Sequence, residues 1–99
     1  MILITGTFRI GAGALEAARP AMDAMITASR AEAGCLAYAY APDLNDETLV
    51  HVFERWDNRE AFDRHVASDH LAVWRAQFAE LGITDRHLAL FEVSEGEAV

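Results

Sequence analysis

The hydrophobic and polar positions along the chain follow two different periods, and their order predicts the fold. Segments with apolar side chains at every second position, rich in β-branched and aromatic residues, are typical of strands. Segments in which apolar residues recur three and four positions apart are typical of amphipathic helices. The predicted strands are residues 2–10, 35–41, 48–56 and 84–93, and the predicted helical segments are residues 14–33, 58–68 and 71–81. This order predicts an α+β, ferredoxin-like split βαβ fold (βαββαβ) with one antiparallel sheet of four strands.

Glycine and proline mark where several of these elements end. Pro20 lies inside the first helical pattern, where it removes a backbone hydrogen bond at a cost of about 3 kcal/mol. We therefore expect either a kink there or a helix that begins nearer Arg19. Gly34 and Gly82 are placed to end helices, Gly34 in the left-handed conformation. The polar residues 42–47 predict a turn that joins two strands as a hairpin.

Both faces of the predicted sheet carry apolar side chains. On the second strand Leu36, Tyr38 and Tyr40 share one face, and small residues share the other. Two helices can cover only one face of the sheet, and monomers seldom leave several hundred Å² of contiguous apolar surface in water. We therefore expect a homodimer that packs its open sheet faces together. His51, in the middle of the third strand, is predicted to lie at that interface.

Length and composition restrict the classes of function. Ninety-nine residues predict a single domain, with an ordered core of about residues 2–93 and an acidic tail at 94–99. A net charge of −8 argues against a nucleic-acid partner. The lone Cys35 excludes an intramolecular disulfide and is predicted to be buried filler. No apolar run approaches the ~20 residues of a membrane span, and no secretory signal is recognisable, so we expect a cytoplasmic protein without a membrane partner.

Ionisable and aromatic residues concentrate between Thr48 and His70, where the third predicted strand turns directly into the second helix. Asn58 is placed to cap that helix. Glu54 shares a strand face with Trp56, and His65 lies on the side of the helix that faces the sheet. A site with chemistry is therefore expected in this stretch.

Three motifs in the chain resemble those of a known family. They are Glu32-x-Gly34-Cys35-Leu36-x-Tyr38, Glu54-x-Trp56 and Ala61-Phe62-x-x-His65-x-x-Ser68-x-His70. In order and spacing they resemble the antibiotic biosynthesis monooxygenase (ABM) family, in particular its small quinol monooxygenase-like branch, from about Ile2 to Val93. The resemblance implies a dimeric α+β barrel with a pocket between the sheet and the helices of each subunit. It also implies oxidation of a phenolic or quinol-type substrate by O₂, with no metal, flavin or other cofactor.

Other branches of that family degrade haem or isomerise a phosphorylated signalling molecule. The haem-degrading branch has an asparagine in the first strand, a tryptophan in the second helix and a haem-ligating histidine further along. The matching positions here are Gly6 or Thr7, His65 and Arg75. The resemblance therefore disfavours haem chemistry.

Oxygenation without a cofactor requires a base that deprotonates the phenol, donors for the developing oxyanion and a cavity that excludes water. We predict His65 as the base, because imidazole titrates near neutrality, with Glu54 and Tyr38 as the other catalytic candidates. The predicted substrate-binding residues are Trp56, Asn58, Phe62, His70, Trp74, Tyr40 and Arg64. We expect no metal site, because His65 and His70 are five positions apart, which turns them about 140° away from each other on one helix.

Structural roles compete with these predictions. Glu54 could form an ion pair with Arg9 or Arg64, because an unpaired buried charge is costly. Convergence of both arginines on one point would instead indicate an isomerase with a cationic pocket. Two main functions stay open: a monooxygenase acting on a small aromatic quinol or phenol, or a non-enzymatic, accessory dimer that binds a small hydrophobic ligand. Core packing, hydrogen bonding or helix capping would also explain the following candidates: His65, His70, Trp56, Trp74, Tyr38, Tyr40 and Asn58.

Overall fold

Strands and helices alternate along the chain, which a computed structural model describes from residue 1 to residue 99. The strands are β1 (Ile2–Arg9), β2 (Cys35–Asp43), β3 (Asp46–Trp56) and β4 (Thr84–Glu92), and the helices are α1 (Leu15–Arg30), α2 (Arg59–Val66), α3 (Asp69–Arg75) and α4 (Phe78–Leu81). The strands form one antiparallel sheet in the order β2-β3-β1-β4. This is the ferredoxin-like split βαβ arrangement, and it confirms the predicted fold class.

Strand register brings four side chains into one row across the sheet. Ile4 of β1 pairs with Glu54 of β3 and with Leu90 of β4. Tyr38 of β2 pairs with Glu54 from the other side. Because side chains on paired positions point to the same face of a sheet, all four face the helices. This row forms the floor of the candidate site.

Helix α1 begins within one residue of the predicted start at residue 14 but ends earlier than predicted. It begins at Leu15, so the expectation of a start near Arg19 is wrong, and Pro20 lies inside the helix. The buried stripe of α1 explains why the proline is tolerated, since burial of the two methionines on that stripe outweighs one missing hydrogen bond. The helix ends at Arg30, and Gly34 takes its left-handed conformation (φ 85°) in the turn that follows.

The remaining elements differ in smaller ways from their predictions. The register shifts at the start of β2, and Leu36 is exposed there, so the prediction that it shares the buried face of the β2 tyrosines is wrong. The expected turn at residues 42–47 shortens to Leu44–Asn45, because both strands of the hairpin extend further. The helix predicted at residues 71–81 is divided into α3, which begins earlier at Asp69, and α4, and Gly82 (φ 67°) ends α4 as predicted.

The face of the sheet opposite the helices carries exposed apolar side chains. Phe53 is 43 % exposed and Phe91 is 47 % exposed. His51 lies two positions before Phe53 on β3 and therefore on the same face of the sheet. Its Nε2 atom lies 2.8 Å from a carboxylate oxygen of Asp43. The homodimer that would cover this face stays a prediction. None of the helices is long and apolar enough to cross a membrane.

Candidate functional site

An apolar cavity of about 200 Å³ lies between the sheet and the helices α2 and α3. The row of Ile4, Glu54, Leu90 and Tyr38 supplies its floor, and His65 of α2 lies in its wall. Nine of the thirteen residues that line the cavity are hydrophobic. The few polar groups therefore act in a poorly hydrated space, where hydrogen bonds and charges interact strongly.

Glu54 is the only carboxylate that lines this cavity, and it is 4 % exposed. Its Oε1 atom accepts a hydrogen bond of 3.0 Å from the indole N–H of Trp56. Burial raises the pKa of Glu54 to about 7, although the Trp56 hydrogen bond and the charge of Arg86 act in the opposite direction. At neutral pH this carboxyl group exchanges readily between its protonated and ionised forms.

The predicted ion pair between Glu54 and Arg9 or Arg64 is wrong. Arg9 binds Asp46 in the β2–β3 hairpin, because both lie at the far end of the sheet. Arg64 is exposed and does not line the cavity. The two arginines therefore do not form a common cationic pocket.

His65 is 2 % exposed and is held between two carboxylates. Its Nδ1 atom lies 3.1 Å from Oε1 of Glu32, and its Nε2 atom lies 3.8 Å from Oε1 of Glu54. Burial lowers the pKa of His65, while Glu32 partly opposes that shift. A neutral imidazole that donates its Nδ1 proton to Glu32 keeps a free lone pair on Nε2, on the side of Glu54.

His70 reaches the same oxygen of Glu32 from the other side. Its Nε2 atom contacts Oε1 of Glu32 and lies 3.3 Å from the hydroxyl of Ser68. The prediction that His65 and His70 point apart is wrong, because α2 ends at Val66 and the chain bends before α3 begins. Hydrogen bonds thus extend from the buried imidazole through Glu32 to His70, which is 25 % exposed.

The same three side chains form a donor set that a cation could use. One ligand-type atom from each of Glu32, His65 and His70 lies within 4.8 Å of the others. Two imidazoles and a carboxylate suit transition metals. In the arrangement described here, one oxygen of Glu32 is instead shared by the two rings, which is the geometry of a hydrogen-bonded carboxylate.

Gly34 sets the distance between this carboxylate and helix α2. A Cβ atom at Gly34 would lie 2.6 Å from the Cβ atom of Ala61, and the backbone there has a φ of 85°. The carbonyl of Gly34 also accepts a hydrogen bond of 2.8 Å from the backbone N–H of Asp57. Only glycine meets both conditions without strain, so this position keeps Glu32 close to His65.

Two tyrosines complete the polar part of the wall. The ring of Tyr38 packs edge-on against the ring of His65, with 5.2 Å between centroids, and stacks on Tyr40 at 5.8 Å. Both tyrosines line the cavity. Burial raises the pKa of each phenol well above its ordinary value, so their hydroxyl groups stay protonated and can donate hydrogen bonds.

The other predicted substrate-binding residues are distributed differently. Phe62 lines the cavity. Trp56 is not part of the lining but packs against His65, with 4.7 Å between the ring centroids. Trp74 packs against Tyr40 and Phe78 outside the cavity lining. The side chain of Asn58 accepts a hydrogen bond of 2.9 Å from the N–H of Ala61 and caps α2.

Three polar residues of the site were missed from the sequence. Glu32 belongs to a motif singled out above, but no helical or strand period connects it with His65, which is 33 positions away. Arg75 at the end of α3 and Arg86 of β4 also line the cavity. Arg86 lies two positions before Leu88 in a predicted strand. Because residues two apart share a face of the sheet, this spacing is the one signal in the sequence that Arg86 faces the helices.

A ferredoxin-like sheet with a buried imidazole and carboxyl group in the wall of an apolar cavity defines a small α+β protein with an interior site. Within that class the particular family follows from comparison with known sequences. The chain belongs to the antibiotic biosynthesis monooxygenase (ABM) family, since the sequence profile of that family matches residues 1–77.

Individual relatives agree with this assignment. The Mycobacterium tuberculosis protein named "Putative monooxygenase Rv0793" is 44 % identical over 68 residues, which are 69 % of this chain and 66 % of that protein. The chain thus matches slightly less than two thirds of that relative's length. The solved structure of Rv0793 has a TM-score of 0.83 at 31 % identity over 98 % of each chain. A crystal structure from Deinococcus radiodurans, described as a "putative antibiotic biosynthesis monooxygenase", has a TM-score of 0.91 at 26 % identity and covers 100 % of this chain and 98 % of that chain.

Proposed function

We propose that this chain is a monooxygenase that needs no cofactor and oxidises a small aromatic quinol or phenol with O₂. One observation carries the proposal: Nε2 of the buried His65 faces the carboxyl group of Glu54 across 3.8 Å at the wall of an apolar cavity. That gap is too long for a direct hydrogen bond. A substrate hydroxyl placed beside it could contact both groups at about 2.8 Å.

The reaction of a quinol balances without any further reactant. His65 Nε2 takes the phenol proton, and the phenolate then transfers one electron to O₂. The resulting semiquinone and superoxide combine at a ring carbon as a hydroperoxide. Loss of the proton on that carbon and cleavage of the O–O bond release water and leave a hydroxylated quinone. One oxygen atom stays on the product, the other leaves as water, and the quinol supplies all four electrons.

The surrounding residues have distinct roles in this proposal. Glu32 fixes the tautomer and orientation of His65 by accepting its Nδ1 proton at 3.1 Å, as a carboxylate does in a catalytic triad. His70 connects Glu32 with the solvent, so that a proton can leave the buried site. The hydroxyls of Tyr38 and Tyr40 are donors for the phenolate and peroxide oxygens. The apolar lining excludes water, which would otherwise weaken the electrostatic interactions in the site and divert reactive intermediates into side reactions.

The comparisons support the proposal at the level of the family. Several relatives carry names that include the word monooxygenase. The cavity also favours the enzyme over the accessory protein, because the latter predicts that Trp56, Trp74 and Phe62 fill the space. Trp56 packs against Phe62 at 6.3 Å, but the cavity beside them stays open.

A second copy of the chain is part of the proposal. The exposed Phe53 and Phe91 lie on the face of the sheet opposite the cavity. Packing two such faces together would bury these rings and close the back of the sheet. The cavity itself lies within one subunit, so the chemistry does not require side chains from the partner.

Oxygen consumption by the purified chain with a panel of one-ring and two-ring quinols tests the proposed activity. We expect a rate above autoxidation, with one atom of ¹⁸O from ¹⁸O₂ in the product by mass spectrometry. His65→Ala should lower kcat by at least a hundredfold. His87→Gln is the matched control, since His87 is exposed and outside the cavity lining. A rate no higher than background, or an unchanged rate in His65→Ala, would contradict the proposal.

A further inference from the structure

Two arginines converge on the cavity from different elements, although the chain is strongly acidic. Arg75 comes from the end of α3 and Arg86 from β4, and both line the cavity that holds His65 and Glu54. Both are exposed to solvent and neither forms a salt bridge, which is also true of Arg30, Arg55 and Arg64. What distinguishes these two guanidinium groups is their position, since they line an otherwise mainly apolar cavity together with the carboxyl group of Glu54 and the imidazole of His65.

The local contacts orient both arginine side chains. The guanidinium carbon of Arg86 lies 5.2 Å from the centroid of the Phe78 ring. Such stacking restrains a guanidinium group and leaves its N–H donors free at the edge. Nη1 of Arg75 reaches the carbonyl of Val66 at 3.5 Å, a long contact that leaves its other donors available. These contacts keep the two groups at the cavity without neutralising them.

The charges of these arginines also reach the buried acid–base pair. The positive charge of Arg86 lowers the pKa of Glu54, and that of Arg75 lowers the pKa of His65. A negatively charged group bound between the arginines would therefore lie close to the reacting hydroxyl. The cavity volume adds a limit on size, because a cavity of about 150 Å³ holds one benzene ring, and this cavity is only slightly larger.

We propose that the substrate is a single aromatic ring carrying both a hydroxyl group, directed at His65 and Glu54, and an anionic substituent, bound by Arg75 and Arg86. This inference rests on the proposed function for the identity of the reacting hydroxyl, but the anion site does not depend on turnover. A carboxylate and a phosphate share the chemistry that recognises them, since both accept paired hydrogen bonds from a guanidinium group. The size of the cavity favours the carboxylate.

Equilibrium binding of compounds that cannot be oxidised as quinols tests the anion site directly. The probes are 4-hydroxybenzoate, 4-hydroxyphenyl phosphate and the nearly isosteric but uncharged 4-hydroxybenzamide, measured by isothermal titration calorimetry with the full chain in the absence of O₂. We expect 4-hydroxybenzoate to bind about tenfold more tightly than the amide at low salt, and the difference to shrink as salt is added. Tighter binding of the phosphate would identify that group as the anion. Equal or tighter binding of the amide, or no binding of any probe, would overturn the proposal.

Charge-neutral variants assign the effect to the two arginines. Arg75→Gln and Arg86→Gln should each reduce the preference for 4-hydroxybenzoate several-fold, and the double variant should abolish it while binding of the amide is unchanged. Arg19→Gln is the control, since it removes one exposed positive charge on α1 and should leave the preference intact. Circular dichroism verifies folding of each variant. A double variant that folds and keeps the preference would overturn the assignment.

Turnover separates this inference from the proposed function. If the enzyme is a monooxygenase with an anion site, 2,5-dihydroxybenzoate should be oxidised with a lower KM than 2,5-dihydroxybenzamide. Preferential binding of the anionic probes without oxidation of any quinol would support the anion site and contradict the monooxygenase. Oxidation of uncharged quinols with no preference for anions would support the monooxygenase and contradict the anion site.

Discussion

Replacement of Glu54 by glutamine should stabilise the protein at high pH and leave its stability unchanged at low pH. Glu54 is 4 % exposed, and its pKa is raised from 4.5 to about 7 by burial. The folded state therefore binds this proton more tightly than the unfolded state. The corresponding stabilisation is fully present below pH 4.5 and is lost as the pH rises to about 7. Glutamine resembles the protonated acid and keeps an oxygen that accepts the hydrogen bond from Trp56.

The size of the effect follows from the shift in pKa. One pKa unit corresponds to about 1.4 kcal/mol, so a rise from 4.5 to about 7 corresponds to about 3 kcal/mol of lost stability above pH 8. His65 acts in the opposite direction, because its lowered pKa makes the folded state bind fewer protons and lets stability rise with pH up to about 6.5. Since His65 is present in both proteins, the difference in stability between Glu54→Gln and wild type reports the titration of Glu54 together with its coupling to His65 across 3.8 Å.

Urea unfolding followed by tryptophan fluorescence at several pH values between 4.5 and 8.5, at one fixed protein concentration, measures this difference. We expect the free energy of unfolding of Glu54→Gln to match that of wild type near pH 4.5 and to exceed it by about 3 kcal/mol at pH 8. Glu95→Gln, in the exposed acidic tail, controls for the loss of one negative charge. A difference that stays constant with pH, or that decreases as pH rises, would refute the reasoning about Glu54.

Three further predictions concern the fold and the assembly. Gly34→Ala should lower the free energy of unfolding by about 3 kcal/mol, because the backbone is left-handed there and the new Cβ atom would clash with Ala61. Gly13→Ala is the control: Gly13 is also left-handed, but a Cβ atom there would have no neighbour within 4 Å, so the loss in the same urea experiment should be only about 1 kcal/mol. Asn58→Ala should lose the cap of α2 and about 1 kcal/mol in thermal unfolding, and Asn45→Ala in an exposed turn should not. Phe53→Glu should give a monomer by sedimentation velocity, whereas Val73→Glu, at an exposed position on the helical side, should not. A wild-type chain that is already monomeric at micromolar concentration would contradict the proposed dimer.

The fold was predictable because its elements are encoded locally. Period two and period 3.6 are visible without knowledge of any neighbour, and Gly82 and Asn58 mark helix ends by their own chemistry. The errors lie where tertiary packing overrides a local signal. Pro20 favours a later helix start, yet the buried face of α1 holds the helix together around it. Leu36 fits the alternation of β2, but the register shift in pairing with β3 turns it outwards.

The partners of Glu54 could not be predicted, because they depend on distances between elements that are remote in sequence. Burial of a carboxyl group beside Trp56 required a compensating contact, and an arginine is the usual choice. The sheet places Arg9 at the hairpin end instead, and the nearest charged partner is a histidine that carries no obligatory charge. The charge of Glu54 is therefore not balanced by a paired arginine, and the pKa of its carboxyl group is raised instead.

The relation between His65 and His70 shows how a single break in a helix creates a site. On one continuous helix, two residues five positions apart face different directions, and no shared partner could exist. Ser68 interrupts the helix: its hydroxyl donates to the carbonyl of His65 at 2.6 Å and accepts from the N–H of Leu71 at 3.4 Å, so that it both closes α2 and caps α3. The bend returns His70 to Glu32, which already holds the buried ring. Because one imidazole is buried and the other is partly exposed, the bend at Ser68 allows Glu32 and His70 to connect the proposed base with the solvent.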